Sequence, residues 1–318
     1  MSRESAEVFQ RGTHLALDVF RPDGPGPYPA VVMAHGFGSL RHARLPEFAR
    51  RFQEHGILVV LFDYRHFGES GGDPRQLLSV RRQLQDWTEV LRYTRSRADV
   101  DEARVALWGT SFSGGHVVRL ASTDPQVAAV VSQVPMASGP ATVRRLPVAS
   151  AFKMGLAGVA DLARSALGGQ AVRVPIVGFP GECAAIAQKE SLAGYERLHQ
   201  DLAWDNRVCA RIGLRILFYR PVGCARRVRA PLLVQVAAHD TLTPPAPART
   251  MANRAPLGEV RSYPVDHFDL YFDPWFEKAV ADQVEFLARH LRPGTLSSWG
   301  PSRVHDTGPH QDLEPGDE

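Results

Sequence analysis

The sequence predicts an α/β protein built on one mostly parallel, doubly wound sheet with helices on both faces. Three observations predict it. The apolar runs Ala30–Ala34 and Ile57–Phe62 are short and uninterrupted, as expected for strands buried on both faces, and Pro231–Ala237 is apolar but for Gln235. Stretches with helical periodicity alternate with such runs, which implies parallel strands joined by helical crossovers. The alternation breaks once, between about residues 136 and 229, where no strand–helix unit repeats.

Each element follows from local pattern. Glu7–Phe9 and His14–Phe20 read as two strands joined at Arg11-Gly12, and Asp23-Gly24-Pro25-Gly26-Pro27 is a turn. The Ala30–Ala34 strand ends in His35-Gly36-Phe37-Gly38. Leu45–His55 is a helix with Leu45, Phe48, Ala49 and Phe52 on one face. The Ile57–Phe62 strand ends in Asp63-Tyr64-Arg65-His66-Phe67-Gly68-Glu69-Ser70-Gly71-Gly72. Gln76–Arg95 carries helical periodicity through Leu77, Val80, Leu84, Trp87, Val90 and Leu91. A strand through Val105–Trp108, a short helix and a strand at Val127–Val134 follow. In the interruption, residues 145–168 read as helix, Val172–Val177 as an isolated strand, and Ala184–Gly194 and Tyr195–Val208 as helices. After Pro231–Ala237 come a helix at Pro244–Asn253, a strand at Val260–Tyr263 and a final amphipathic helix at Trp275–Leu291. The expected organisation is a core of residues 1–135 and 230–292, a mainly helical cap at 136–229, and a disordered Gly/Ser/Pro-rich tail at 293–318.

Composition narrows the function classes. The 318 residues are 44% hydrophobic and 22% charged, enough for a large core. A formal net charge of +3 demands no polyanionic partner, so no nucleic acid is expected. Cys183, Cys209 and Cys224 form neither a disulfide framework nor metal-ligand spacing, so no metal is expected. They read as reduced thiols of a cytoplasmic protein. The N-terminus lacks the apolar stretch of a signal peptide, and no run is long enough to span a bilayer. No Gly-x-Gly-x-x-Gly follows the first strand, and Gly68–Gly72 lacks the ending of a phosphate loop, so no nucleotide cofactor is expected.

The chemistry is concentrated in Val105-Ala106-Leu107-Trp108-Gly109-Thr110-Ser111-Phe112-Ser113-Gly114-Gly115-His116. An apolar strand ends in a glycine, a serine stands two residues later, and a helix-compatible run follows. This is the layout of a nucleophile elbow, whose crowding demands small residues two before and two after the nucleophile. Ser111 satisfies it with Gly109 and Ser113, and Ser113 satisfies it with Ser111 and Gly115. Ser111 is the better frame, because Gly109 directly ends the strand.

The succession of His-Gly loop, Asp-x-Arg-x-x-Gly loop, elbow, insertion, acidic loop and late histidine resembles the α/β-hydrolase family, including its esterase, dienelactone-hydrolase and S15-like members. The resemblance covers roughly residues 7–135 and 230–291. It implies a triad in the chain order serine, acid, histidine. The matching positions are Ser111, Asp240 in Ala237-Ala238-His239-Asp240-Thr241, and His267 in Val265-Asp266-His267-Phe268-Asp269. It also implies an oxyanion hole from the backbone N–H groups of Phe37 and Phe112. Asp266 and Asp269 are weaker acid candidates, lying too close to His267 in one loop. His35 in the His-Gly loop is expected beside the substrate.

The insertion carries 14 Arg and Lys against 6 Asp and Glu, a balance of +8 that leaves −5 for the rest. Arg144, with Arg145, Arg220, Arg226, Arg227 and Arg229, is a candidate contact for an anionic or carrier-bound substrate, and Phe152 and Phe179 are candidates to line an acyl pocket. The expected activity is cofactor-independent serine hydrolysis of a small-molecule ester, lactone or thioester, free or carrier-protein-bound. Acyl transfer or cyclisation by the same triad, and a non-catalytic ligand-binding scaffold, are the alternatives.

Overall fold

The computed structural model describes residues 1–291. The expected tail at 293–318 lies outside the described residues. Eight strands form the central sheet: β1 (Ser2–Gln10), β2 (Thr13–Arg21), β3 (Tyr28–Ala34), β4 (Leu58–Phe62), β5 (Val100–Thr110), β6 (Val130–Gln133), β11 (Leu232–Ala237) and β12 (Gly258–Tyr263). Their spatial order is β1-β2-β4-β3-β5-β6-β11-β12. Only β2 runs against its neighbours, and all pairings from β4 to β12 are parallel.

Alternating side chains feed two cores. Val32, Val60 and Leu107 pack on one face with Trp87 and Val90 of α2 (Val80–Arg95) and Val117 of α3 (Phe112–Ala121). Val31, Val59 and Ala106 pack on the other with Phe48 and Phe52 of α1 (Leu45–Glu54) and with Phe286 of the C-terminal helix Trp275–Leu291. The sheet is therefore covered on both sides, as the apolar runs require.

Strand order reverses at β3, with β4 on one side and β5 on the other. In open α/β sheets ligands bind at such a switch, beyond the carboxyl ends of the strands. Here β3 and β5 are in register with Ala34 beside Gly109, so the His35–Gly38 loop and the Thr110–Phe112 turn leave the sheet side by side. The neighbouring pair β11 and β12 ends with Ala237 beside Tyr263, which places the 238–243 and 264–268 loops on the same edge.

The segment between β6 and β11 differs from its expected form. It holds two long helices, α5 (Val148–Ala166) and α6 (Lys189–His199), and the short helices α4 (Gly139–Val143) and α7 (Ile212–Arg215). Between them lie four short strands: β7 (Arg173–Pro175), β8 (Val177–Gly178), β9 (Ile186–Ala187) and β10 (Arg207–Cys209). Residues 172–177 are not an isolated strand: β7 pairs with β10 and β8 with β9. The helices expected at 184–194 and 195–208 are one helix, α6, followed by loop and β10. Helix α6 buries Tyr195 and Leu198 on one face, and no glycine or proline marks its end before β10. After β11, α8 (Pro245–Arg254) and α9 (Trp275–Leu291) complete the chain. No helix of the described residues is long and apolar enough to cross a membrane.

Candidate active site

Ser111 follows β5 and caps α3 with φ 55° and ψ −117°, a conformation costly for a residue with a side chain. The turn is held from both sides: the Ser111 N–H donates to the Gln133 carbonyl at 2.8 Å, and the Met136 N–H donates to the Ser111 carbonyl at 2.8 Å. Close packing explains the glycines. A Cβ on Gly109 would stand 2.4 Å from the Ser113 carbonyl oxygen, and one on Gly115 would stand 2.4 Å from the Tyr219 hydroxyl.

The two elbow serines point to different places. Ser113 is fully buried and bonded to the Tyr64 hydroxyl at 3.0 Å, which in turn accepts from Trp87 Nε1 at 2.8 Å. Ser111 lines a small cavity of about 10 Å³ together with Gly36, Ser39, Tyr195, His267 and Phe268. A cavity of that size holds about one water molecule.

His267 and Asp240 meet in the same place. His267 Nδ1 lies 2.8 Å from Asp240 Oδ2, and both side chains are buried. The Asp240 carboxylate is fixed by its own loop: Oδ1 accepts from the N–H groups of Leu242 at 2.9 Å and Thr243 at 2.5 Å, and Oδ2 accepts from Thr243 Oγ1 at 2.8 Å. Asp266 turns instead to the backbone, accepting from Thr241 N at 2.7 Å and His267 N at 2.7 Å. Asp269 accepts from the Asp266 N–H at 2.9 Å. Neither supplies a carboxylate to the imidazole, and His239 is exposed.

The His35–Gly38 loop lies directly over the serine. A Cβ on Gly36 would approach Ser111 Cβ to 3.1 Å, so a side chain there would crowd the serine. Gly38 has φ 59°, and a Cβ there would strike Ile176 at 2.5 Å. Phe37 and Phe112 pack edge to face at 5.5 Å.

Two supports escape sequence patterns. First, Arg41, with its side chain 3% exposed, bonds Asp18, Asp63 and Glu69. Asp63 also accepts the Arg41 N–H at 2.8 Å and lies 3.7 Å from His35. A Cβ on Gly68 would sit 2.2 Å from the Asp63 carboxylate, which accounts for the glycine of the Asp-x-Arg-x-x-Gly loop. Second, the inserted segment clamps the loop above the serine. Tyr195 donates to the Phe37 carbonyl at 2.8 Å, Trp204 Nε1 donates to the Gly38 carbonyl at 2.8 Å, and His199 Nε2 lies 2.8 Å from Ser39 Oγ. His199 and Trp204 stack at 4.4 Å.

The four expected substrate contacts do not come to the cavity. His35 is fully buried between Tyr64, Phe67 and Asp63. Arg144, Phe152 and Phe179 are exposed and line no cavity near Ser111. Helix α5 is apolar on both sides: it turns Met154 and Gly158 inward and leaves Phe152, Leu156 and Val159 outward. Periodicity alone could not choose between these faces. The residues that do line an apolar cavity of about 120 Å³ include Phe37, Met136, Leu146, Met154, Ile212 and Leu242.

Burial keeps several histidines neutral. It pushes His116, which bridges Gln83 and Tyr219, down to about 3, and His199 down to about 4. Both folded values lie below the unfolded one, so the stability they allow is full above pH 6.5 and is lost as pH falls toward 4. Each is expected to cost roughly 2 kcal/mol at pH 5. Asp86, raised to about 6 by burial, works in the opposite sense over a smaller span. Urea unfolding should therefore give a clearly lower free energy at pH 5 than at pH 7, and equal values would contradict this.

Residues 26–273 match the family model described as serine aminopeptidase, S33. The quorum-quenching protein AidA of Acinetobacter baumannii (strain MDR-ZJ06) is 38% identical over 273 residues, covering 85% of this chain and 90% of that protein. Polyketide transferase af380 of Aspergillus fumigatus is 26% identical over 296 residues, covering 92% of this chain and 99% of that protein. The crystal structure of the α/β hydrolase GrgF from Penicillium sp. sh18 superposes with a TM-score of 0.79 at 24% identity, covering 92% of this chain and 99% of that one. A family match across most of the chain, on a sheet of this order, means that the chain belongs to the α/β-hydrolase family, within the group that the S33 model describes.

Proposed function

We propose that the protein is a serine hydrolase that cleaves a carboxylic ester, lactone or thioester through an acyl-enzyme, without a cofactor. The observation that carries this reading is the Asp240–His267 pair at 2.8 Å, opening on the cavity that Ser111 lines. With Nδ1 engaged by Asp240, Nε2 is the nitrogen left to take the Ser111 proton. Ser111 Oγ attacks the carbonyl carbon, and its proton passes to His267. The tetrahedral oxyanion receives the N–H groups of Phe37 and Phe112. Its collapse breaks the bond to the leaving oxygen or sulfur, which takes the proton from His267. Water, deprotonated by His267, then releases the acid and regenerates Ser111. Asp240 remains ionised throughout and stabilises the imidazolium.

The apolar cavity that begins at Phe37 supports an aliphatic or otherwise apolar acyl group. Residues 136–229 act as the cap that roofs it. Acyl transfer is the second reading. Ser111 and His267 are only 6% and 1% exposed, so little water reaches the acyl-enzyme. The relative named as a polyketide transferase fits that reading.

A series of p-nitrophenyl esters from acetate to decanoate tests the first reading. Gly155 lines the apolar cavity, and a Cβ there meets no atom within 4 Å. Gly155→Leu should lower kcat/KM for the octanoate ester by about tenfold while sparing the acetate, since a pocket shortened by a few methylenes discriminates by about 1–3 kcal/mol. Equal effects on both esters would place the acyl group elsewhere. Release of transferred acyl product without free acid from a thioester would favour acyl transfer.

A further inference from the structure

A second cavity lies away from the serine and remains unexplained by the proposed chemistry. It is an open groove of about 700 Å³ between α2, the far half of α3 and residues 211–219 of the inserted segment. Arg81, Arg82, Arg119, Arg211 and Arg215 line it, and no Asp or Glu does.

These arginines are less engaged than those of the ion-pair networks. Arg41, Arg65, Arg97 and Arg289 each hold a carboxylate. In the groove, Arg211 holds Asp161 at 2.6 Å and Arg82 contacts His66 at 2.8 Å. The side chains of Arg81, Arg119 and Arg215 make no hydrogen bond or ion pair among the described residues. Arg82 is held below the usual guanidinium range, first by burial and then by the charges of Arg65, Arg81 and Arg211. Gathering like charges on one wall is unfavourable unless an anion relieves it.

The backbone adds to the same field. Helix α2, 16 residues long, begins at this groove. Its cap Ser79 makes no side-chain cap bond, and its first turn carries no acid. Its positive end and free N–H groups thus face the arginines without a resident carboxylate. Leu84, Leu120 and Phe218 supply apolar wall beside the charges, with Phe218 82% exposed at the rim. The planar guanidinium fork matches phosphate oxygens in pairs. The volume suits a molecule of nucleotide size better than a single phosphate.

We propose that the arginine-lined groove between α2, α3 and residues 211–219 is a binding site for a phosphate-bearing small molecule carrying two or more phosphoryl groups. The site is separate from the Ser111 cavity and does not depend on the proposed hydrolysis.

The test is a calorimetric titration of the full chain with inorganic tripolyphosphate at low salt. Wild type should bind with Kd below about 1 mM, corresponding to roughly 4 kcal/mol. Arg119→Glu combined with Arg215→Glu should weaken binding at least about tenfold, because two of the contacts are reversed in sign. Arg226→Glu combined with Arg227→Glu, on a neighbouring surface, should change it less than about twofold. Circular dichroism and urea unfolding of each variant report that the fold is intact. Absent binding to wild type, unchanged binding in the Arg119/Arg215 variant, or equal loss in the Arg226/Arg227 variant would each overturn the proposal. So would a poly-glutamate peptide that binds the groove while tripolyphosphate does not, since the surface would then serve an acidic protein.

Discussion

Ser111→Ala should lower kcat/KM for an activated ester by at least about 10⁴-fold while leaving the fold unchanged. In the proposed mechanism the serine contributes the nucleophile, and no neighbouring group can replace it. Ser113 is fully buried and bonded to Tyr64, and Tyr64 is locked by Trp87. The alanine also relieves nothing structural, since the Ser111 backbone bonds to Gln133 and Met136 remain. Asp240→Asn should lose a similar factor, because an amide in place of the carboxylate favours the wrong tautomer of His267. Ser111→Ala and Asp240→Asn together should lose little more than Ser111→Ala alone, as expected for residues that act as a unit. Additive losses, or a Ser113→Ala variant as inactive as Ser111→Ala with an intact fold, would contradict this.

The largest effect on stability is expected at Arg41. Arg41→Met should cost about 3–5 kcal/mol, because it leaves the buried carboxylate of Asp63 without its cation and Asp18 with only Arg3 and His42. The Asp18 and Asp63 side chains are 0% and 2% exposed, so water cannot substitute. Burial works against ionised Asp18, yet its bonds to His42, Arg41 and Arg3 hold it well below the usual carboxylate range. Adding Asp63→Asn to Arg41→Met should recover part of the loss by removing the stranded charge. Arg41→Lys should fall short of wild type, since one ammonium cannot span three carboxylates. Urea unfolding of the four proteins measures this. A loss under about 1 kcal/mol for Arg41→Met would show that the network is not buried as described.

The sheet was legible in the sequence for a physical reason. Strands buried on both faces must be apolar without interruption, so Ala30–Ala34 and Ile57–Phe62 announce themselves, and their ends are marked by His35-Gly36 and Asp63. The order of loops resembles the α/β-hydrolase family, and that resemblance implies Ser111, Asp240 and His267; a parallel sheet gathers the carboxyl ends of its strands, and so these loops, on one edge. The inserted segment was harder to read. Its strands are two or three residues long, too short for a period of two to register. Helix α5 is apolar on both sides, so Phe152 looked like pocket lining and is exposed. The clamp of Tyr195 on Phe37 joins residues 158 positions apart and leaves no local signal. Arg41 sits outside any periodic element, and its three acids come from separate stretches of chain.

The central claim is that Ser111 is an activated nucleophile served by His267. Labelling with a fluorophosphonate, followed by mass spectrometry of the modified peptide, tests it most directly. Wild type and Ser113→Ala should each take up one label, on Ser111, and Ser111→Ala and His267→Ala should take up none or label far more slowly. A label on Ser113, or a folded wild type that takes up none, would contradict the account.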